Sequence, residues 1–262
     1  MDGTISNVPR EWQRLMHLLR PRLHTTIKQY RGSPVTITRH RIKQWLKKYN
    51  ITNYTIHNNL VVDVDGNVNV YNQNLKYLPF QFGKVTGYFS CSCNELTSLQ
   101  YCPTTVGMVF NCSGNNLSSL QYCPSVVGGG FYCNDNLLTS LRHCPNTDGE
   151  FDCSHNQLAS LQYSPSTVGG NFICFSNILN SLQYSPSTVG GYFDCSDNQL
   201  PSIQYCPTTV GGGFFCYDNP FIVTKENEKE WFEVIKNHKN VYSTIKNPTD
   251  TLTNFYKMLY EV

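Results

Sequence analysis

Residues 166–186 read S-T-V-G-G-N-F-I-C-F-S-N-I-L-N-S-L-Q-Y-S-P, and residues 187–207 read S-T-V-G-G-Y-F-D-C-S-D-N-Q-L-P-S-I-Q-Y-C-P. The two stretches are one unit written twice, and the unit continues in both directions at a period of 20 to 21 residues. A fixed period of this length is the signature of a solenoid. The phenylalanine recurs as Phe89, Phe110, Phe131, Phe151, Phe172, Phe193 and Phe214. Two residues on stand Cys91, Cys112, Cys133, Cys153, Cys174, Cys195 and Cys216. Five residues after each Phe comes an asparagine, from Asn94 to Asn219, followed by the columns that begin at Leu96 and Leu99. A degenerate copy fits the same offsets with Val68, Val70, Gln73, Leu75 and Leu78, which makes about eight coils.

A coil this short cannot bury its own apolar face. Stacking identical coils places each Phe, Cys and Leu above its counterpart and closes a continuous core. Parallel strands about 4.8 Å apart would give eight coils a sheet roughly 34 Å long. The paired glycines before each Phe, such as Gly128-Gly129 and Gly190-Gly191, are expected to allow a tight bend into the strand. Prolines such as Pro103, Pro124 and Pro207 are expected to end the opposite side.

Written generically, the unit is L-x-L-x-x-N-x-L-x-x-L with Phe and Cys in the two strand positions, and it resembles the leucine-rich repeat. Its short period resembles the compact repeats of bacterial secreted effectors, in which the back of each coil is extended chain. More narrowly, F-x-C-x-x-N-x-L-T-S-L…C-P-x-x-V-G-G, with its lead-in Asn53-Tyr54-Thr55-Ile56 and Pro79-Phe80-Gln81-Phe82-Gly83-Lys84-Val85, is similar to repeat proteins of large bacteriophages and giant viruses. The resemblance covers roughly residues 50–220. It implies an α/β solenoid with a leucine-rich-repeat-like parallel sheet on one face, and it carries no shared biochemical activity.

An exposed terminal coil would leave core and strand edge open, so a helical cap is expected at each end. Trp12, Leu15, Met16 and Leu19, then Ile42, Trp45, Leu46 and Tyr49, fall at helical spacing and predict helices over about 9–20 and 39–49, with Thr38 as N-cap of the second. Residues 226–237 and 251–260 read as helices too. The resulting division is a basic N-terminal cap over 1–50, a solenoid over 51–222 and a C-terminal cap over 223–262.

Charge is divided along the same lines. Residues 1–50 hold eleven Lys/Arg against only Asp2 and Glu11, whereas residues 60–219 hold Lys76, Lys84 and Arg142 against ten Asp/Glu. An acidic middle therefore follows a basic head. The opening residues show no basic stretch followed by an apolar block, and no apolar run approaches membrane-spanning length, so a soluble cytoplasmic protein is expected.

Twelve cysteines invite a disulfide or zinc reading, but seven occupy the strand column and four more (Cys102, Cys123, Cys144, Cys206) a turn column where other coils have Ser164 and Ser185. They are expected to be reduced thiols acting as small fillers, with no metal and no cofactor. Cys91-Ser92-Cys93 lacks the second pair that a metal site needs. The regular asparagines are expected to satisfy backbone groups at the inner turn, because an amide donates and accepts at once. Asp63-x-Asp65-Gly66 opens like a calcium loop but has no ligands following, so a strand end and turn is expected. His155 is expected to form a solvated pair with Asp152. No nucleotide, metalloprotease or serine-hydrolase motif is present, and no enzyme activity is expected.

Two surfaces remain as binding candidates. Alternation points Phe and Cys inward, so the residues flanking each Cys are expected to point out. They are small and polar in the first coils but include Tyr132, Asp152, Ile173, Phe175, Asp194, Phe215 and Tyr217 further on. Aromatic anchors of this kind suit a protein partner, and the aspartates suit one with a basic rim. The second surface is Arg39, Arg41, Lys43, Lys47 and Lys48 on the helix over 39–49, which could contact phosphates or an acidic partner. The expected function is a non-enzymatic protein-interaction module, viral by resemblance and acting on a host or virion protein. The competing expectations are a nucleic-acid-associated protein that uses the basic head, or a structural component of the virion.

Overall fold

The computed structural model describes residues 37–221, 223–225, 227–237 and 241–242. The first element is helix α1 (Arg39–Lys48), which buries Ile42 and Leu46. Strands β1 (Tyr54–Ile56) and β2 (Val62–Val64) then form an antiparallel hairpin. From there on the chain is a parallel-strand β-solenoid. Its front ladder runs β3 (Val68–Asn69), β5 (Phe89–Ser90), β7 (Phe110–Asn111), β9 (Phe131–Tyr132), β10 (Phe151–Asp152), β12 (Phe172–Ile173), β14 (Phe193–Asp194) and β16 (Phe214–Phe215). β17 (Val241–Tyr242) adds to β16 in parallel. Helix α2 (Glu228–Asn237) lies between them in sequence. The eight strands β3 to β16 enclose about seven turns, one fewer than the number of coils counted by columns, because the first copy supplies a strand where the solenoid begins. The expected helices over 9–20 and 251–260 lie outside the described residues.

Every rung is in register, Phe on Phe from Phe89 to Phe214 and Val on Phe at either end. The rings from Phe89 to Phe193 stack nearly parallel, with centroids 5.4–5.8 Å apart and interplanar angles of 7–22°. All seven phenylalanines and all seven strand cysteines are fully buried. The asparagine column does what its chemistry suggested. Asn94 Oδ1 accepts from Gln73 N and Leu75 N, while its Nδ2 donates to the carbonyls of Val70, Cys91 and Ser92. Each later asparagine likewise joins its own turn to the one before, so the inner-turn groups of neighbouring coils are satisfied by one amide.

The back of the coil is extended chain, as the resemblance implied, and it pairs into ladders of its own. β4 (Phe82–Val85), β6 (Thr105–Val106) and β8 (Val126–Val127) continue the sheet begun by β1 and β2. β11 (Thr167–Val168), β13 (Thr188–Val189) and β15 (Thr209–Val210) form a further ladder. The last valine of each of these strands, from Val85 to Val210, is buried and supplies the opposite wall of the core. Between the two ladders β8 is extended by one isolated bridge, Val127 to Thr147, which does not reach β11. Here the sequence has one residue fewer between Pro145 and Phe151 than between Pro124 and Phe131, so the rung cannot form in full.

The glycines also serve a different purpose from the one expected. Among the described glycines only Gly66 and Gly114 have positive φ; the repeated pairs do not need one. Instead, a Cβ on Gly190 would run into the carbonyl oxygen of Gly169, and one on Gly211 into that of Gly190. The pairs are there to let successive coils approach closely along this edge.

The turn cysteines are corrected as well. Cys123 and Cys144 are half-buried, and their thiols donate to the carbonyls of His143 and Tyr163 on the next coil. Ser164 and Ser185 make the same bond with hydroxyls, 2.6 Å to the carbonyls of Tyr184 and Tyr205. At these four coils Cys and Ser interchange because either supplies a donor, whereas Cys102 is buried and fills space as expected. Asp63-x-Asp65-Gly66 is a strand end and turn, with Asp63 Oδ1 accepting from Lys84 N at 2.7 Å and Asp65 Oδ1 from the Thr86 hydroxyl at 2.9 Å.

Candidate interaction face

Phe points inward along each front strand, so the residues on both sides of it point outward. Sequence reasoning considered only those flanking the Cys and overlooked the residue before each Phe. That column reads Tyr88, Val109, Gly130, Glu150, Asn171, Tyr192 and Gly213. The same alternation of period two that placed the others would have placed these.

Together the columns build a cluster over the turns from β9 to β16. Register puts Tyr132, Asp152, Ile173, Asp194 and Phe215 on consecutive rungs of one sheet. The Tyr132 ring folds over Gly130, where a Cβ would meet it at 2.7 Å. Only glycine leaves room for that rotamer, which brings the phenol to Glu150. Burial first, and then the neighbouring Glu150 carboxylate, push the Tyr132 phenol up to about 12. Asn171 donates to Glu150 and accepts from Tyr192 N at 3.0 Å. The Tyr192 ring meets Phe215 edge to face at 5.7 Å, and Phe215 lies 6.3 Å from Tyr217. Burial, followed by Glu150, raises the Tyr192 phenol too.

Two expectations about this face are revised. Ile173 points out of the core but is only 6% exposed, hemmed in by its neighbours on adjacent rungs, so it is a floor rather than a projection. His155 does not pair with Asp152; its ring packs edge to face on Phe175 at 4.7 Å. Asp152 Oδ1 instead accepts from Ser154 N at 2.9 Å and from its hydroxyl at 2.6 Å. Asp194 accepts from Ser196 N in the same way. Asn111 makes both bonds to Ser113 with a neutral amide, so the local turn does not require a charge. The Asp152 carboxyl is raised above its ordinary value, mainly by burial and further by Glu150 and Asp135. Holding carboxylates here costs free energy that the turn alone does not explain.

The basic residues of α1 form a separate group. Arg39 donates to the carbonyls of Ile56 and His57 at 2.8 and 2.9 Å and to Asn58 Oδ1, which ties the helix to the β1–β2 hairpin. Lys48 Nζ sits 4.8 Å over the Tyr49 ring. Arg41, Lys43 and Lys47 are exposed. On its other face α1 sets Trp45 against Phe80 and Phe82, at 5.2 and 5.9 Å.

Among the described residues no group of three His, Cys, Asp or Glu side chains is placed to hold a metal ion. No described helix is long and apolar enough to cross a membrane. No protein-family model matches the chain, and no curated protein matches it.

Proposed function

We propose that the chain is a non-enzymatic protein-interaction module of leucine-rich-repeat-like type, which binds a partner bearing lysine or arginine side chains along the front sheet between β9 and β16. The observation that carries this is the joint placement of Tyr132, Tyr192 and Phe215 with Glu150, Asp152 and Asp194 on one sheet face. Aromatic rings supply rigid contact area at small entropic cost, and a cation set between rings and carboxylates gains from both. The first rungs of the same sheet, with Tyr88, Ser90, Val109 and Asn111, carry no carboxylate beside an aromatic ring. By its resemblance the chain is a viral protein acting in the host cytoplasm on a host or virion protein.

Phosphate-backbone contact by α1 has less behind it, since the Arg39 guanidinium already serves the β1–β2 hairpin.

A library of short displayed peptides panned on the immobilised full chain tests the reading. Enriched peptides are expected to carry Arg or Lys beside an apolar residue. Their affinity should fall at least about tenfold, near 1.4 kcal/mol, in the Glu150→Gln/Asp194→Asn double variant. Enrichment of acidic peptides, or binding indifferent to the double variant, would sink the proposal.

A further inference from the structure

One corner of the solenoid carries the same exposed pair on nearly every turn. It is Gln100-Tyr101, Gln121-Tyr122, Gln162-Tyr163, Gln183-Tyr184 and Gln204-Tyr205, with Arg142-His143 as the one departure between Leu99 and Tyr205 and Pro79-Phe80 at the same place in the degenerate first copy. The five tyrosines are 39–58% exposed. Their φ angles lie between 67° and 74°, in the left-handed region. That conformation suits Gly or Asn and disfavours a bulky side chain.

The fold does not use these side chains. At Tyr163, Tyr184 and Tyr205 the backbone carbonyl receives the Cys or Ser donor of the preceding coil, and at Tyr101 it receives Phe82 N, bonds that any residue would make. Among the described residues none of the five tyrosines makes a ring contact or a side-chain hydrogen bond, and the five glutamines use only their backbone NH groups, which the serine two residues earlier accepts.

Shared duplication history does not explain the constancy either. The outward-pointing residue after each Phe belongs to the same repeats and reads Ser, Asn, Tyr, Asp, Ile, Asp, Phe. That outward position varies from coil to coil, while the corner has kept an aromatic where the backbone resists it. A strained conformation that persists at a surface points to a contact made there.

We infer that this corner binds a neutral linear polysaccharide. Turns about 4.8 Å apart make the corner a ladder of phenols and amides spanning roughly 24 Å from Tyr101 to Tyr205. A regular ladder matches a polymer that offers the same group at every step, which a folded protein surface does not. Sugar rings present C–H faces to the phenols, and their hydroxyls meet the glutamine amides and the neighbouring hydroxyls of Thr104, Ser125, Ser166, Ser187 and Thr208. Between the first two rungs lies a groove of about 300 Å³ lined by Gln100, Tyr101, Thr104, Tyr122 and Ser125 among others. Charge selects the class of polymer. From Tyr101 to Tyr184 the repeated pairs and their hydroxyl neighbours include no carboxylate for a polycation and only Arg142 for a polyanion; Glu233 of α2 stands beside Cys206 and Thr208 at the far end alone.

The test uses the full chain and the Tyr122→Asn/Tyr163→Asn/Tyr184→Asn triple variant, co-sedimented with amorphous cellulose, chitin, insoluble β-1,3-glucan and starch granules. Asparagine relieves the left-handed strain, so the triple variant is expected to melt no lower than the parent. The parent should be retained on at least one of the four polymers, with little dependence on added salt. The triple variant should bind that polymer at least about tenfold more weakly. Retention on none of the four, or equal retention of the variant, overturns the inference. A fall in melting temperature would assign the tyrosines to stability instead, and a dimer dispersed by the substitutions would make the corner a self-association surface. Because the sheet face is untouched by these changes, failure here leaves the peptide-binding reading standing, and the reverse holds too.

Discussion

At the scale of single residues, the asparagines join turn to turn as much as the stacked rings do. Asn156 Nδ2 donates to the carbonyls of Cys133, Cys153 and Ser154 at 3.0–3.1 Å, and its Oδ1 accepts from Leu138 N at 2.9 Å. Aspartate has nearly the same shape and none of the donors. Asn156→Asp should therefore leave three buried carbonyls facing a carboxylate and cost about 3 kcal/mol or more in urea unfolding. A loss below about 1 kcal/mol would show that water replaces the amide and that the column is not a structural requirement.

At the scale of elements, the front sheet combines a buried face of invariant chemistry with an outer face on which each strand differs. β10 shows the tension between them. Asp152 is raised above its ordinary carboxyl value, so the folded chain prefers it protonated. Its stabilising contribution is complete below the unfolded value of 3.8 and is lost as pH rises through the folded one. Asp152→Asn keeps an acceptor for Ser154 and removes the charge. The variant is expected to be at least as stable as the parent at pH 7, and that advantage should disappear on acidification below about 3.8. Thermal melts across this range decide the matter. A clear loss at neutral pH would mean that the ionised carboxylate is held by Ser154 more strongly than burial opposes it.

At the scale of the molecule, each turn touches only the turns beside it, so the solenoid should tolerate the loss of one. Deleting residues 166–186 joins Pro165 to Ser187 and restores the same unit across the junction, with Phe151 and Asp152 meeting Phe193 and Asp194 in register. The shortened chain is expected to fold with an unchanged far-UV spectrum shape and a melting temperature lowered by a few degrees. An insoluble or unfolded product would mean that the break in the back ladder at Thr147 makes the two halves unequal, so that the later coils cannot stack directly on β10. The charge division noticed in the sequence also belongs to this scale, since an acidic sheet face arises only when stacking brings Glu150 and Asp152, at β10, to within one intervening rung, that of Ile173, of Asp194 on β14.

The sequence by itself determined the repeat, the inward Phe, Cys and Leu columns and the role of the asparagines, because period and polarity are properties of the chain and a solenoid merely stacks them. It also placed α1 and α2 to within two residues of their starts from the spacing of their apolar stripes. It did not show that the back of the coil pairs into ladders, since two-residue strands carry no periodicity. It misassigned the glycines, whose reason is a carbonyl on the preceding coil rather than their own φ. The candidate face was legible in part. Alternation named Tyr132, Asp152, Asp194 and Phe215, but Ile173 proved to be floor, and Glu150, Asn171 and Tyr192 joined the cluster only in three dimensions. Whether an outward side chain projects or is walled in depends on the rungs above and below it, and whether a tyrosine sits in a favourable backbone depends on where the corner falls. Both are fixed by contacts between turns, which only the tertiary structure decides.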